Sequence, residues 1–255
     1  MIYDLQKASI LKRISAGILD FIIVLIIATG CFFLLSSIFN YDKISDDFTN
    51  YYVEYEEEYG FDFREVTEEM YNNFSQEEKA NYDKAYKSLT TNEGFLNAYN
   101  LVINMSLLMI TFGLLIAIMI VEFVVPLILK NGQTIGKKMF GICLMMDNGV
   151  KIRTLPLFIR TLLGKFTVET MIPVYFLVLL YFGHVNIIYI VILGALLIAE
   201  ILLIIINHKN ALLHDLMSYT VVVDKESQMI FDTEEELIKY KQEVAQKNAA
   251  SKKTF

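Results

Sequence analysis

The chain has 255 residues, of which 55% are hydrophobic and 20% charged, with three prolines, no tryptophan and a formal net charge of -7. A soluble domain of this length disperses its apolar residues at helix or strand period, whereas here they stand in long blocks, which excludes a soluble enzyme. The charge is equally uneven: positions 41 to 99 carry fifteen Asp and Glu against five Lys and Arg, and the remainder is net +3.

Residues 1–13 form a short basic segment with Lys7, Lys12 and Arg13. Residues 14–39 then hold one ionisable side chain, Asp20. At about 1.5 Å per residue this block reaches roughly 39 Å, enough to cross a hydrocarbon core of about 30 Å, and it is expected to be the first transmembrane helix. Ala28-Thr29-Gly30-Cys31 comes near the small-residue box that precedes a lipidated cysteine, but Phe32, Phe33, Leu34 and Leu35 continue the apolar run, so an uncleaved anchor is expected. Cys31 and Cys143 are the two cysteines, and no disulfide framework follows from them.

Residues 40–100 are acidic and contain nine of the fifteen tyrosines. Ser75-Gln76-Glu77-Glu78 has capping-box spacing and predicts a helix from about Gln76 to Leu89. Thr91 or Asn92 is placed to cap the helix that leads into the second span, and Tyr51 to Tyr59 suggests a further helix. The segment reads either as a solvated cap or as a cation-attracting or partner-binding surface.

Residues 101–129 form the second expected span, with Glu122 as its carboxylate. The basic loop 130–165 follows, containing Gly132-Gln133-Thr134-Ile135-Gly136-Lys137-Lys138 and an Asn148-Gly149 hairpin turn after Ile142 to Met146. The glycine-lysine run lacks the spacing and hydroxyl of a phosphate loop, so its lysines are expected to meet anionic lipid at the interface. The third and fourth spans are expected at 166–182 and 187–206, with Glu169 and Glu200. Residues 207–223 form a membrane-proximal motif that ends in the strand-like Thr220-Val221-Val222-Val223, and 224–255 is a polar tail.

Lys and Arg gather in the short segments on one side of the spans, and such segments stay cytoplasmic. The expected fold is therefore an all-α polytopic membrane protein with four transmembrane helices and both termini inside. The acidic segment and a short turn near Gly183 to Asn186 lie outside, and a small β-like element is cytoplasmic. A charged side chain at the centre of a bilayer costs about 2.5 to 3.5 kcal/mol, so each intramembrane carboxylate is a site candidate. Counted from the cytoplasmic end of each span, Asp20, Glu122, Glu169 and Glu200 lie at depths of roughly 6 to 12 Å. Glu122 and Glu169 each precede a proline by four residues, Pro126 and Pro173. Proline cannot donate to the carbonyl four residues back, so each position offers a carboxylate beside a freed carbonyl, a ligand set for a hard cation unless a Ser or Thr takes that oxygen.

Arg13 and Asp20 are seven residues apart and share one helix face, about 10 Å from each other along it, so each is expected to pair elsewhere. Asp215 or Glu200 stand as partners for Arg13, and Arg160 or a lysine for Asp20. A purely structural ion-pair lock at the inner mouth is the competing reading of these charges. His208 and His214 do not share a helix face. H-E-x-x-H, G-x-S-x-G and Walker patterns are missing from the sequence, so no catalytic residue, metal site or cofactor is expected, and no nucleic-acid partner.

Three stretches taken together resemble the RDD family of small bacterial and archaeal membrane proteins. Arg13 with Ala16 and Asp20 is similar to the family's opening pattern. Gly132, Thr134, Gly136 and Lys137 sit in a loop that resembles its glycine-lysine loop. Leu213-His214-Asp215 with Thr220 to Val223 resembles its closing motif. The likeness runs from about Lys7 to Val223, and the long acidic segment departs from it. It implies the four-span topology in a bacterial plasma membrane, and for some members cation/proton antiport. Two classes of function follow. A small transporter would pass a monovalent cation and protons along the carboxylate layer, as a homo-oligomer because four spans are few. A non-catalytic scaffold would use the same charges to hold its helices and would recruit an extracellular or membrane protein partner.

Overall fold

A computed structural model describes residues 5–181 and 187–252. The turn expected at Gly183 to Asn186 lies outside the described residues. In chain order the elements are α1 (Ile10–Phe39), α2 (Tyr41–Tyr59), α3 (Glu68–Asn73), α4 (Gln76–Thr91), α5 (Glu93–Leu129), α6 (Ile135–Met139) and β1 (Ile142–Met146). They continue with α7 (Thr154–Leu180), α8 (Ile187–Ile206), α9 (Leu213–Met217), β2 (Thr220–Asp224) and α10 (Glu234–Lys252). Four of them, α1, α5, α7 and α8, are long and apolar enough to cross a membrane.

The chain divides into two compact units, one of Thr29–Gly113 and one of Met1–Ala28 with Leu114–Phe255. In the first, Asn40 adopts a left-handed conformation between α1 and α2, which a short polar side chain tolerates. The capping box forms as predicted: the Glu78 N–H donates to Ser75 Oγ at 3.2 Å and the Ser75 N–H to Glu78 Oε2 at 2.8 Å. Asn92 caps α5 by accepting from the Phe95 N–H at 3.0 Å. The segment is more than a solvated cap, because Phe63, Ala85, Leu89 and Phe95 are buried beneath Phe48, Tyr51, Tyr52 and Tyr82. Phe48 and Phe95 stand 5.5 Å apart, and Phe61 meets Tyr82 edge-on at 5.4 Å. Each such pair adds about 0.5 to 1.5 kcal/mol beyond area burial, which lets a strongly acidic stretch hold a core.

In the second unit, Val24 of α1 packs on Ala117, Ile118 and Val121 of α5, with Phe166 of α7 alongside. The strands β1 and β2 pair antiparallel with Leu144 opposite Val222. An isolated two-stranded ribbon is marginal in water, and this one is stabilised by burial on both faces. Ile142, Leu144 and Val222 pack with Ala8, Ala16 and Leu157, while Cys143, Met145, Val221 and Val223 pack with Leu5 and Ile230. Its edges are covered too. The Ala8 N–H donates to the Val222 carbonyl at 3.1 Å on one side, and on the other the Met146 N–H donates to the Val150 carbonyl at 2.8 Å across the Asn148-Gly149 turn.

Three spanning helices start earlier than the sequence predicts, and α1 begins at Ile10, ahead of 14. The second spanning helix begins at Glu93, ahead of 101, because the Asn92 cap sets its start. The third begins at Thr154, so Arg160 and Lys165 ride on the helix instead of in a loop ending at 165. Charged side chains are held there by the carboxylates described below.

Burial pushes the Cys143 thiol up to about 11. In a Cys31→Ser background, Cys143 is therefore expected to resist maleimide at about pH 8, close to an ordinary thiol pKa, and to react fully once denatured. Mass spectrometry of the folded and unfolded protein checks this.

Candidate functional site

The charged side chains of the second unit converge on Asp215, which is fully buried in the short helix α9. Arg13 of α1 donates through Nη2 to Asp215 Oδ2 at 2.7 Å and through Nη1 to the Asn210 carbonyl. Arg160 of α7 donates through both Nε and Nη2 to Asp215 Oδ1 at 3.1 Å. The Leu212 N–H adds a bond to Oδ2 at 3.2 Å. Burial by itself would raise the Asp215 carboxyl, but His214, Arg160 and Arg13 outweigh it and hold the group well below its ordinary value of 3.8.

Glu122 is the second hub. Its Oε2 accepts from Lys137 Nζ at 3.2 Å and from Arg160 Nη1 at 3.3 Å, and its Oε1 pairs with Lys165. The carbonyl freed by Pro126 is also taken, because the Thr161 hydroxyl donates to it at 3.0 Å. The backbone widens here into a π-turn, Ile120–Val124, closed by the Val125 N–H on the Ile120 carbonyl. The cation-ligand reading of Glu122 thus meets a physical obstacle: three protein cations and a threonine already hold the oxygens a metal ion would need.

Asp20 takes neutral donors in place of a guanidinium. Thr134 Oγ1 donates to its Oδ2 at 2.5 Å and the Gly136 N–H to its Oδ1 at 2.8 Å, with Lys137 Nζ farther off at 3.9 Å. The loop reaches this close because Gly136 has no side chain: a Cβ there would run into the Ala16 carbonyl and stand 2.9 Å from the Asp20 carboxyl. Gly132 turns the loop with φ of 67°, and buried Gln133 ties it to β1 through Nε2 on the Ile142 carbonyl at 2.7 Å. Lys137 is consequently not an interfacial lysine. It turns inward between Glu122 and Asp20, where burial pushes its ammonium down to about 8 although Glu122 pulls it back, and Lys138 is the exposed neighbour.

A third cluster joins α7, α8 and α9. His214 Nδ1 lies 2.5 Å from Glu169 Oε1, its Nε2 lies 3.3 Å from Asp215 Oδ1, and its backbone N–H donates to Glu169 Oε1 at 3.3 Å. Glu200 is half-buried and accepts from the Leu213 N–H at 3.4 Å. Gly164 makes the approach of α9 fit, since a Cβ there would stand 2.7 Å from the His214 Cα. Around Gly164 the helix is π-helical over Arg160–Met171, with Thr167 and Thr170 hydroxyls donating to carbonyls five residues back at 2.8 Å. Among the described residues, no group of three or more His, Cys, Asp or Glu side chains is placed to hold a metal ion.

The sequence candidates Arg13 and Asp215 therefore meet each other, Asp20 meets the Thr134 and Gly136 loop, and Glu169 meets His214. The sequence offers Arg160 only as a partner for Asp20 and does not single out Lys165, and the roles of His214 and Gly164 emerge only from the fold. The signal that points to the first two is the apolar run Leu157, Phe158, Ile159, Leu162 and Leu163, which extends the third span's pattern back past both cations. This is a membrane-type protein with four apolar helices and a charge cluster gathered where the loop 131–146 and helix α9 pack against them. It belongs to the RDD family, whose model matches residues 7–219. No curated protein and no solved structure matches the chain.

Asp215→Asn keeps the shape but leaves two buried guanidiniums short of a counter-charge, and is expected to destabilise the protein by about 3 to 5 kcal/mol. Thermal unfolding in detergent measures it. The folded carboxyl sits below its unfolded value, so this stabilisation is fully present above 3.8 and is lost as pH falls further. The parent and the variant should therefore differ by a constant amount from neutral pH down to the ordinary carboxylate range, and converge below it.

Proposed function

We propose that the chain is a multi-pass protein of the bacterial cell membrane that passes protons, coupled to a monovalent cation, through the Glu200, Glu169 and His214 cluster. The observation that carries this reading is the grouping of exchangeable side chains. Glu169 Oε1 lies 2.5 Å from His214 Nδ1, His214 Nε2 faces Asp215 at 3.3 Å, and Glu200 bonds the backbone N–H of Leu213 next to His214. Glu169 and Glu200 keep part of their surface accessible, whereas Asp20 and Glu122 are buried and held by fixed donors. Proton relays in membranes are built from such Asp, Glu and His chains. The ion-pair network is then the frame that holds α7 and α9 at the right distance.

The basic character of residues 1–13 and 130–165 supports termini and loop on the cytoplasmic side, with the acidic segment outside. Single-cysteine labelling from outside should mark positions near Glu57 and spare those near Gly149, and labelling at Gly149 would reverse the arrangement. Four spans are few for a permeation path, which favours a homo-oligomer.

A second reading is favoured by the closure of the ion pairs on themselves. Arg13, Asp215, Arg160, Glu122, Lys137 and Lys165 form a continuous network, as expected of a scaffold that fixes its helices and binds a protein partner. Proton uptake by vesicles containing the purified protein separates the two. Glu200→Gln should lower ion-driven proton movement at least tenfold while changing the melting temperature little. Glu122→Gln should do the reverse, unfolding more easily by leaving Lys137 and Lys165 short of an anion. No proton movement by the parent under any cation gradient would leave the scaffold as the function.

A further inference from the structure

A cleft of about 230 Å³ opens beside the charge network, between the N-terminal part of α1, the loop that carries Lys137, and the end of α8. That is about the space of seven or eight waters in the liquid. Its lining is charged in one sense. Arg13, Lys137, Arg160 and Lys165 face it, and Asp20 is the carboxylate among the lining residues. The two carboxylates that balance these cations, Glu122 and Asp215, do not line the cleft, so their bonds approach the cations from behind. Asp20 is itself engaged by the Thr134 hydroxyl and the Gly136 N–H, which occupy one bond on each of its oxygens.

The donors are not exhausted by these bonds. Lys165 donates to Glu122 alone, which leaves two ammonium hydrogens. Arg13 uses two of its five N–H groups, on Asn210 and Asp215. Both residues retain some exposure at the cleft, 21% for the Lys165 side chain and 11% for that of Arg13. A guanidinium and an ammonium that line one cleft, each with N–H groups on offer, suit a tetrahedral oxyanion such as phosphate.

The rim is of the opposite character. Ile10 and Ile14 of α1 are exposed, and Ile204 of α8 completes an apolar wall on two helices that are themselves fit to span a bilayer. An anion that enters past this wall with an apolar chain attached buries carbon as well as charge. Basic pockets between spanning helices take lipid headgroups on this principle.

We propose that the cleft binds the phosphate of an anionic phospholipid, with Arg13 and Lys165 as its accessible donors and Ile10, Ile14 and Ile204 against the glycerol and first acyl carbons. Free inorganic phosphate shares the recognised chemistry, and the experiment separates the two sources. The full-length protein, purified and delipidated in a neutral detergent, is titrated with phosphatidylglycerol, phosphatidylcholine and inorganic phosphate. Melting temperature and retained mass in native mass spectrometry are the readouts. Phosphatidylglycerol should raise the melting temperature and stay bound as one molecule per chain, with phosphatidylcholine inert and inorganic phosphate weak. A stabilisation by inorganic phosphate equal to that by the lipid would keep the phosphate site and make the free ion its occupant. Lys165→Gln and Arg13→Gln should each weaken phosphatidylglycerol binding about tenfold, the loss of one charged hydrogen bond. Both residues also pair with buried carboxylates, so Ile14→Trp provides a variant that fills the cleft from its exposed rim and leaves every ion pair in place. It should abolish lipid retention without lowering the melting temperature of the lipid-free protein. Equal retention of phosphatidylcholine, or undiminished phosphatidylglycerol binding in Ile14→Trp, would overturn the proposal.

Discussion

The structure depends on one buried carboxylate, Asp215, bonded by two guanidiniums that arrive from opposite parts of the chain. Arg13 comes from the start of α1 and Arg160 from the first turns of α7. Each of these charges is expensive away from water when alone, and together they offset much of that cost, so none of the three positions is stable without the others. The bonds fix α1 and α7 to α9. They also set the direction of the next strand, since α9 leads within a few residues into β2. The ribbon that follows is buried on both faces and covered along both edges, by residues 6–8 and by the hairpin, and it has no water-facing side on which to slip. A polar contact at the membrane end thereby organises an apolar core that it does not touch.

Arg160 extends this frame into the second spanning helix. It bonds Asp215 with one edge of its guanidinium and Glu122 with the other, which is geometry a lysine cannot reproduce. Lys137 and Lys165 then compensate Glu122 from two further sides. Four cations and the carboxylates Asp215, Glu122 and Asp20 close the network, and the four cations also line the cleft.

Much of the fold was legible in the sequence because the signals are local. Apolar blocks mark the spans, the Ser75 to Glu78 spacing marks a helix start, and Asn148-Gly149 marks a turn. The site was legible in depth and in one pairing, Arg13 with Asp215. Counting residues along each span placed four carboxylates at one level, but distance along a helix says nothing of which way a side chain faces around it. Azimuth follows from tertiary packing: the missing Cβ of Gly136 brings the Thr134 hydroxyl onto Asp20, and the missing Cβ of Gly164 brings His214 onto Glu169. Lys165 escaped for a related reason, and Arg160, which the sequence offers to Asp20, bonds Asp215 and Glu122 instead. Charges near a span's end read as loop residues unless the carboxylates they meet are known.

The four carboxylates of that level divide by what opposes them, and this division decides which could exchange an ion. Asp20 accepts from a hydroxyl and a backbone N–H, and Glu122 faces three cations, so a proton or a metal ion at either would displace fixed partners. Glu169 faces the His214 imidazole and Glu200 a backbone N–H, and both keep part of their surface accessible, so neither is enclosed by fixed cations as Glu122 is. In this chain His214 and Asp215 put the two kinds side by side: one residue meets the Glu169 carboxylate, and its neighbour anchors the arginines that hold the frame.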